Sequence, residues 1–361
     1  MPINITFGGA NIKRPGAYST VDSAGMFPIS LGGFKTLAVI GLPNATNTTP
    51  VGTVVYFNSP VTAKIALGDC EALDLMNIAW AHGADLIGFS PVAVTALDAD
   101  WQSAIDLLTT EAVDGLIPAI NTPAINAKVM AHCELMSSVK NRRERRGFVG
   151  HANGLAVPAI VALQLALTSE YMTMATPGVY VLDSTGARVL QGSEYLASAY
   201  AGTWAGQPSQ EPITYKYVNF SGLEQIFTGD EIETLLTGHI APTEYVRNKG
   251  YRIVQGLTLS SDADLTKQEL SVSSVKIQMS QALRDYFEEK YIGQAGSSGI
   301  EVTMYNDLVT MLEGFITAGL ISGYVQDTVS VVKDGTSFIM GWEGKPTLPI
   351  NNFLITSHLS L

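Results

Sequence analysis

Between residues 36 and 151 the hydrophobic pattern keeps switching between a strand period and a helix period, and this alternation limits the folds open to the chain. Thr36 to Leu42 reads TLAVIGL, a continuous apolar run closed by Pro43, which suits a strand buried on both faces. Thr53 to Phe57 is a second strand. Residues 61–82 carry Ala63, Leu67, Leu73, Met76 and Trp80 at helical spacings. Leu86 to Thr95 returns to strand, and Trp101 to Thr110 to a helix with Trp101, Ile105 and Leu108 on one face. Gly115 to Ile120 is a buried strand stopped before Asn121-Thr122-Pro123. The spacing then predicts a helix over Ala124 to Lys140 and a strand over Gly147 to His151. Strands joined through amphipathic helices imply an α/β layer with a partly parallel sheet. A chain of 361 residues exceeds one small core and implies two domains with terminal arms.

Beyond residue 176 the character changes. Val179 to Leu182 and Ala187 to Leu190 flank Asp183-Ser184-Thr185-Gly186, the pattern of a β-hairpin. Ser193 is placed to cap a helix running to about Ala201, and Asp230 to Thr237 forms a short helix closed by Gly238. Arg252 to Leu259 reads as a strand. Glu269 to Val272 begins another, which passes into a helix ending near Gly293. Val275, Met279, Leu283, Phe287 and Tyr291 stripe that helix. Ile300, Met304, Leu308, Met311, Leu312 and Phe315 stripe a second one, over Ile300 to Leu320. Such stripes are core faces. Val329 to Lys333 and Thr336 to Trp342 flank Asp334-Gly335, the strongest hairpin signal in the chain. The fold class is therefore α/β in the mixed α+β sense.

Both ends alternate as strands. Ile3, Ile5 and Phe7 share one face, as do Phe353, Ile355, Leu359 and Leu361. Neither has an adjacent hairpin partner in the sequence, so each is expected to join a sheet of its own chain or of a neighbour.

Composition narrows the function. Only 15% of residues are charged, against roughly 25% in ordinary soluble domains. A surface so poor in charge suits a subunit that buries its faces in an assembly. The net charge of −12 argues against nucleic acid, which demands a basic stripe. Two cysteines, Cys70 and Cys133, give no disulfide framework and fit small buried hydrophobes. Met1 to Gly9 lacks a signal-peptide pattern, and no run approaches the roughly 20 apolar residues of a membrane span. Leu155 to Leu167 is apolar but short, and Pro158 and Gln164 interrupt it. Phosphate loops, nucleophile elbows and zinc signatures are missing, and His82, His132, His151, His239 and His358 are scattered. Neither a catalytic residue nor a cofactor or metal is expected. Lys140 to Arg146 (KNRRERR) holds five of the 21 basic residues. It is either a solvated helix end or a charge patch in which Arg142, Arg143, Arg145 and Arg146 meet an acidic neighbour such as Glu231 and Glu233; a phosphate or nucleic-acid site is the weaker reading.

Four segments, in order, resemble the contractile tail sheath family of phages and of bacteriocin-like injection particles. Ile12 to Tyr18 (IKRPGAY) resembles its early RPGxY element. The small-residue segment SEYLASAYAGTWAGQP, between Ser193 and Pro212, resembles its AGxxA stretch. Gly250 to Thr258 (GYRIVQGLT) resembles a strand ahead of its last domain, and residues 269–323 follow its paired long helices. Residues 245–361 carry most of the likeness, and residues 36–170 match in style alone. The family's APAN-like element is missing here, where Glu211-Pro212-Ile213 stands.

The resemblance implies an N-terminal arm over residues 1–20, an outer domain over 21–244 and an inner domain over 245–361. Ile3, Ile5, Phe7, Phe353, Ile355 and Leu359 would lie on arms that complete sheets of neighbouring subunits. It implies a homo-oligomer of stacked rings around a tail tube protein, ended by baseplate and tail terminator proteins, with no nucleic acid and no membrane. The particle would be assembled in the host cytoplasm, and its sheath would contract by rigid-body movement of subunits. Another tail component (a tube, terminator or baseplate protein) and a nucleotide-binding α/β enzyme are the alternatives. The enzyme would need a glycine-rich turn between strand and helix, whereas Gly32-Gly33 precedes a strand.

Overall fold

The computed structural model describes residues 5–7, 10–12, 35–44, 51–183, 185–294 and 299–351. Strands β1 (Ile5–Phe7) and β2 (Ala10–Ile12) pair antiparallel, with Ile5 opposite Ile12. The expectation that the first strand lacks an adjacent partner is thereby corrected: within one chain it closes a hairpin, which among the described residues pairs with no further strand. Ile3, the rest of the RPGxY-like element and the whole terminal run Phe353 to Leu361 lie outside the described residues.

The central unit follows, with β3 (Leu37–Gly41), β4 (Val55–Phe57), α1 (Pro60–Leu67), α2 (Glu71–Ala81), β5 (Ile87–Pro91), α3 (Asp98–Leu107), β6 (Gly115–Pro118), α4 (Pro123–Met136), β7 (Arg146–Val149), α5 (Val157–Ala166) and β8 (Met172–Thr176). Then come β9 (Val179–Leu182), β10 (Arg188–Gln191), α6 (Ser193–Ala205), β11 (Tyr217–Val218), β12 (Gly222–Leu223), α7 (Gly229–Thr237), β13 (Ala241–Val246) and β14 (Gly250–Ile253). Nine of these strands form one sheet in the order β11-β14-β13-β8-β7-β6-β3-β5-β4. The six from β13 to β5 run parallel, and antiparallel strands finish both edges. Its inner strands β3, β5, β6, β7 and β8 are buried along their whole length, and most of their residues are apolar. Along β3, Leu37 and Val39 enter one core with α2 and α6, while Ala38 and Ile40 enter the other with α3, α4 and α5.

Several local expectations are corrected. The single helix over 61–82 is two helices, broken where Gly68 adopts φ +69°. The apolar run at Leu155 to Leu167, to which no element was assigned, holds α5; Pro158 sits in its first turn, where its missing N–H has no intrahelical partner to lose. Gly192, not Ser193, caps α6; Ser193 is already helical, and its hydroxyl accepts from His151 N at 2.6 Å. Every residue of α6 is buried, which explains the small-residue sequence. A Cβ at Gly202 would lie 2.8 Å from Ala79 Cα in α2, so only glycine permits this approach.

The C-terminal unit contains α8 (Leu265–Gln268), α9 (Leu270–Tyr291), α10 (Ile300–Thr317), β15 (Ile321–Asp334) and β16 (Ser337–Pro346). The strand expected over Glu269 to Val272 is only an isolated bridge from Glu269 to Leu257, and the helix starts at Leu270. Both predicted stripes hold: Val275, Met279 and Phe287 meet Met304, Leu308, Leu312 and Phe315 in a separate core. Leu270, at the start of α9, belongs to the central core, so this helix of about 33 Å bridges the two units. The division drawn between 244 and 245 falls inside β13 and would part it from β14, its antiparallel partner.

Candidate functional site

The basic cluster lies between α4 and β7, and its side chains alternate. Arg143 and Arg145 point to the end of α3: Arg143 Nη1 donates to Thr109 O at 2.9 Å, and Arg145 donates to Leu108 O at 2.7 Å and Glu111 O at 3.2 Å. Cations there complement the negative end of the helix dipole. Arg142, Glu144 and Arg146 point the other way, to α9. Arg142 Nη1 pairs with Glu288 Oε2 at 2.7 Å, and Arg146 Nη2 donates to Ser273 Oγ at 2.6 Å. Glu144 takes a two-pronged contact from Arg284, whose Nη2 lies 2.9 Å from Oε2. Alternate side chains of the segment thus meet a row of residues on one face of α9. Lys276 of α9 extends the row by pairing with Glu170. Trp204 Nε1, at the end of α6, adds a hydrogen bond to Ser274 Oγ at 2.9 Å.

The seam is dry. Arg145 and Arg146 are each 1% exposed, so the expected intersubunit patch of four arginines is corrected for these two, which are spent inside the chain. Within the chain, Glu231 closes a capping box with Thr228 at the start of α7. Burial pulls the Arg146 guanidinium down to about 10. Burial, with Arg145 beside it, holds His132 down at about 4. His132 is therefore neutral, and its Nε2, 3.0 Å from Arg145 Nη1, accepts from the guanidinium. A cavity of about 380 Å³ opens beside the seam, lined by Lys35, Asp114, Arg146, Trp204 and Gln207 among others. Lys35 Nζ donates to Trp204 O at 3.0 Å and Gln207 O at 2.5 Å, and burial lowers it to about 8.

Two buried carboxyls lie elsewhere. Glu194, at the start of α6, receives Asn121 Nδ2, while Asn121 Oδ1 has no partner. Burial first, then the nearby Glu71 carboxylate, raises Glu194 to about 7. Glu269, just before α9, is likewise raised to about 7 by burial. No group of His, Cys, Asp and Glu among the described residues is arranged to hold a metal ion.

The second feature is the ribbon β15–β16. Among the described residues it is a sheet of two strands, so its outer backbone edges carry no partner. Its turn is Gly335-Thr336, with Asp334 opposite Ser337 and Gly335 at φ +59°. The Asp-Gly signal thus located the hairpin, and the glycine takes the first turn position. One face packs on α10 through Val329 and Phe338, while Val325, Val332 and Ile339 are exposed. A long apolar ribbon with free edges is a template for strand addition.

Residues 95–259 match the family model described as phage tail sheath protein central domain. The tail sheath protein of Bacillus phage SP01 is 27% identical over 265 residues, covering 72% of this chain and 45% of that protein. That of Staphylococcus phage Twort is 26% identical over 203 residues, covering 54% and 33%. The chain thus spans about half the length, or less, of the curated relatives it matches. The fold resembles the contracted helical sheath of the anti-feeding prophage, with a TM-score of 0.73 at 14% identity over 96% of this chain and 98% of that one. It also resembles a sheath tail protein from Desulfitobacterium hafniense, with a TM-score of 0.70 at 11% identity over 92% and 97%.

Proposed function

We propose, from the premise that the chain carries a tail sheath central domain within a sheath fold, that it is a structural subunit of a contractile tail sheath. The observation that carries this reading is the central-domain match over residues 95–259, set in a fold that aligns almost end to end with a sheath subunit. Subunits would polymerise helically around a tail tube protein, between baseplate and terminator proteins, in a virion tail assembled in the host cytoplasm. The role is mechanical, without catalysis or cofactor.

The chain then works as three parts: an N-terminal arm, a central α/β unit through Leu259, and a C-terminal unit from α8 onward. The arms carrying Ile3, Ile5 and Phe7 and carrying Phe353, Ile355 and Leu359 would add to the free edges of β15–β16 in neighbouring copies. For the first arm this means giving up the β1–β2 pairing seen within one chain. Contacts of this kind build rings and helices rather than closed dimers. The buried seam supports movement of each subunit as one body, with contraction exchanging contacts between subunits. Removing residues 1–9, or residues 353–361, should leave a folded monomer that no longer sediments with tail tubes. Normal sheathed tubes from either deletion would remove the strand-exchange account.

A further inference from the structure

One corner of the central sheet departs from the acidic balance of the chain. β13 pairs with β8 only at Ala241 and Pro242, while Thr243 to Val246 pair with β14 alone, so the β13–β14 hairpin runs about 13 Å past the last residue of β8. Its turn, closed by Lys249 N on Val246 O at 3.0 Å, carries Arg247 and Lys249. Both are exposed, and among the described residues neither makes an ion pair. Tyr245 lies opposite Tyr251, with ring centroids 5.6 Å apart. On the other face of the ribbon, Arg252 stands between Tyr217 of β11 and Glu244 of β13. Its Nε donates to Glu244 Oε1 at 3.0 Å, and its guanidinium lies 4.0 Å from the centroid of the Tyr215 ring. Tyr215, Tyr217 and Tyr245 are 50%, 45% and 46% exposed. Tyrosine rings left half in water beside arginine have the composition of interface hot spots.

The opposite end of the same sheet carries the complement. β4 starts at Val55 opposite Phe89, and β5 ends at Pro91, so the loops before β4 and after β5 meet at the rim from which the hairpin also projects. Val51, Val94 and Leu97 are 58%, 72% and 63% exposed there, and Asp98 and Asp100 open α3 beside them. Asp98 pairs with Lys128 at 3.0 Å, yet its side chain remains 68% exposed.

We propose that the β13–β14 hairpin of one copy docks on the corner formed by Val51, Val94, Leu97 and Asp98 of the next copy. The occupant is a second copy because this chain itself displays what the hairpin lacks: exposed apolar side chains for the tyrosines, next to carboxylates for Arg247 and Lys249. The two surfaces are five strand spacings apart, about 24 Å, at opposite ends of one sheet, so hairpin and corner of a single chain do not meet. A contact between two different surfaces is heterologous, and each docked copy offers its own free hairpin to a further one, which builds a ring or a helix. The inference rests on the reading of the chain as a sheath subunit and names a surface through which such subunits join.

The test is assembly of the full chain, followed by sedimentation against concentration, with electron microscopy of the product. Arg247→Glu combined with Lys249→Glu should raise the concentration at which polymer appears by about 10-fold or more, and Tyr245→Ala by about 30-fold. The unpolymerised variants should still unfold cooperatively in urea, since every replaced side chain is exposed. Asp98→Lys alone should weaken assembly, yet added to the hairpin double variant it should recover part of the loss, because the reversed charges then face each other. A hairpin variant that polymerises like the wild type, or a triple variant no better than the double, overturns the docking; tubes formed in that case leave the sheath reading standing. Single rings that depend on the hairpin, with tail tubes left bare, would refute the sheath reading alone. A wild type that stays monomeric at every concentration refutes both.

Discussion

Replacing Arg284 with alanine tests whether the seam fixes the subunit as one body. The Arg284 and Glu144 side chains are 6% and 9% exposed, and the contact is two-pronged. Truncation leaves Glu144 nearly buried, with Gln281 Nε2 at 3.1 Å in place of a cation. Stranding a buried charge in this way costs about 3–5 kcal/mol. Lys64 and Asp69 provide the contrast, since their side chains are 64% and 82% exposed, and breaking that pair should cost about 0–1 kcal/mol. Removing both seam charges together, as Glu144→Gln with Arg284→Met, should recover most of the loss, because no ion is left stranded. The assay is urea unfolding of the unpolymerised protein by tryptophan fluorescence. Trp204 bonds to Ser274 of α9 and so reports the seam directly. A loss below about 1 kcal/mol for Arg284→Ala, or a double variant no better than the single, would refute the reasoning.

Two further outcomes follow from buried contacts. Gly202→Ala should destabilise by about 1–3 kcal/mol in the same assay, because its Cβ would press on Ala79 of α2. Stability unchanged or raised would mean that α2 and α6 can separate freely. Glu194→Gln should stabilise the protein above about pH 7, by at most about 3 kcal/mol, and have little effect below about pH 4.5. The native carboxyl keeps its proton to about 7 while the unfolded one releases it earlier, so wild-type stability is lost as pH rises through that window. Asn121 Oδ1 can accept from the new amide. Equal pH profiles for the two proteins would show that Glu194 is not held protonated.

The sequence carried the parallel layer because β3 and β6 are apolar on both faces, a local signal that survives without partners. It carried the C-terminal helix pair for the same reason, since the stripes of α9 and α10 are the faces that meet. Direction was harder to read. The charge of KNRRERR was plain, but a buried arginine looks like an exposed one until its partner is known. A usable signal was present: Arg142 and Glu144 oppose Glu288 and Arg284 with the signs reversed and the spacing of one helix face. Pro158 gives no sign against α5, since a proline in the first helical turn loses no intrahelical hydrogen bond.

The measurement that bears most directly on the account is electron microscopy of the purified protein, concentrated alone and with tail tubes. The account predicts regular hollow tubes or stacked rings that lengthen with concentration and enclose the tube when it is supplied. Monodisperse particles at every concentration, with tubes left bare, would contradict it.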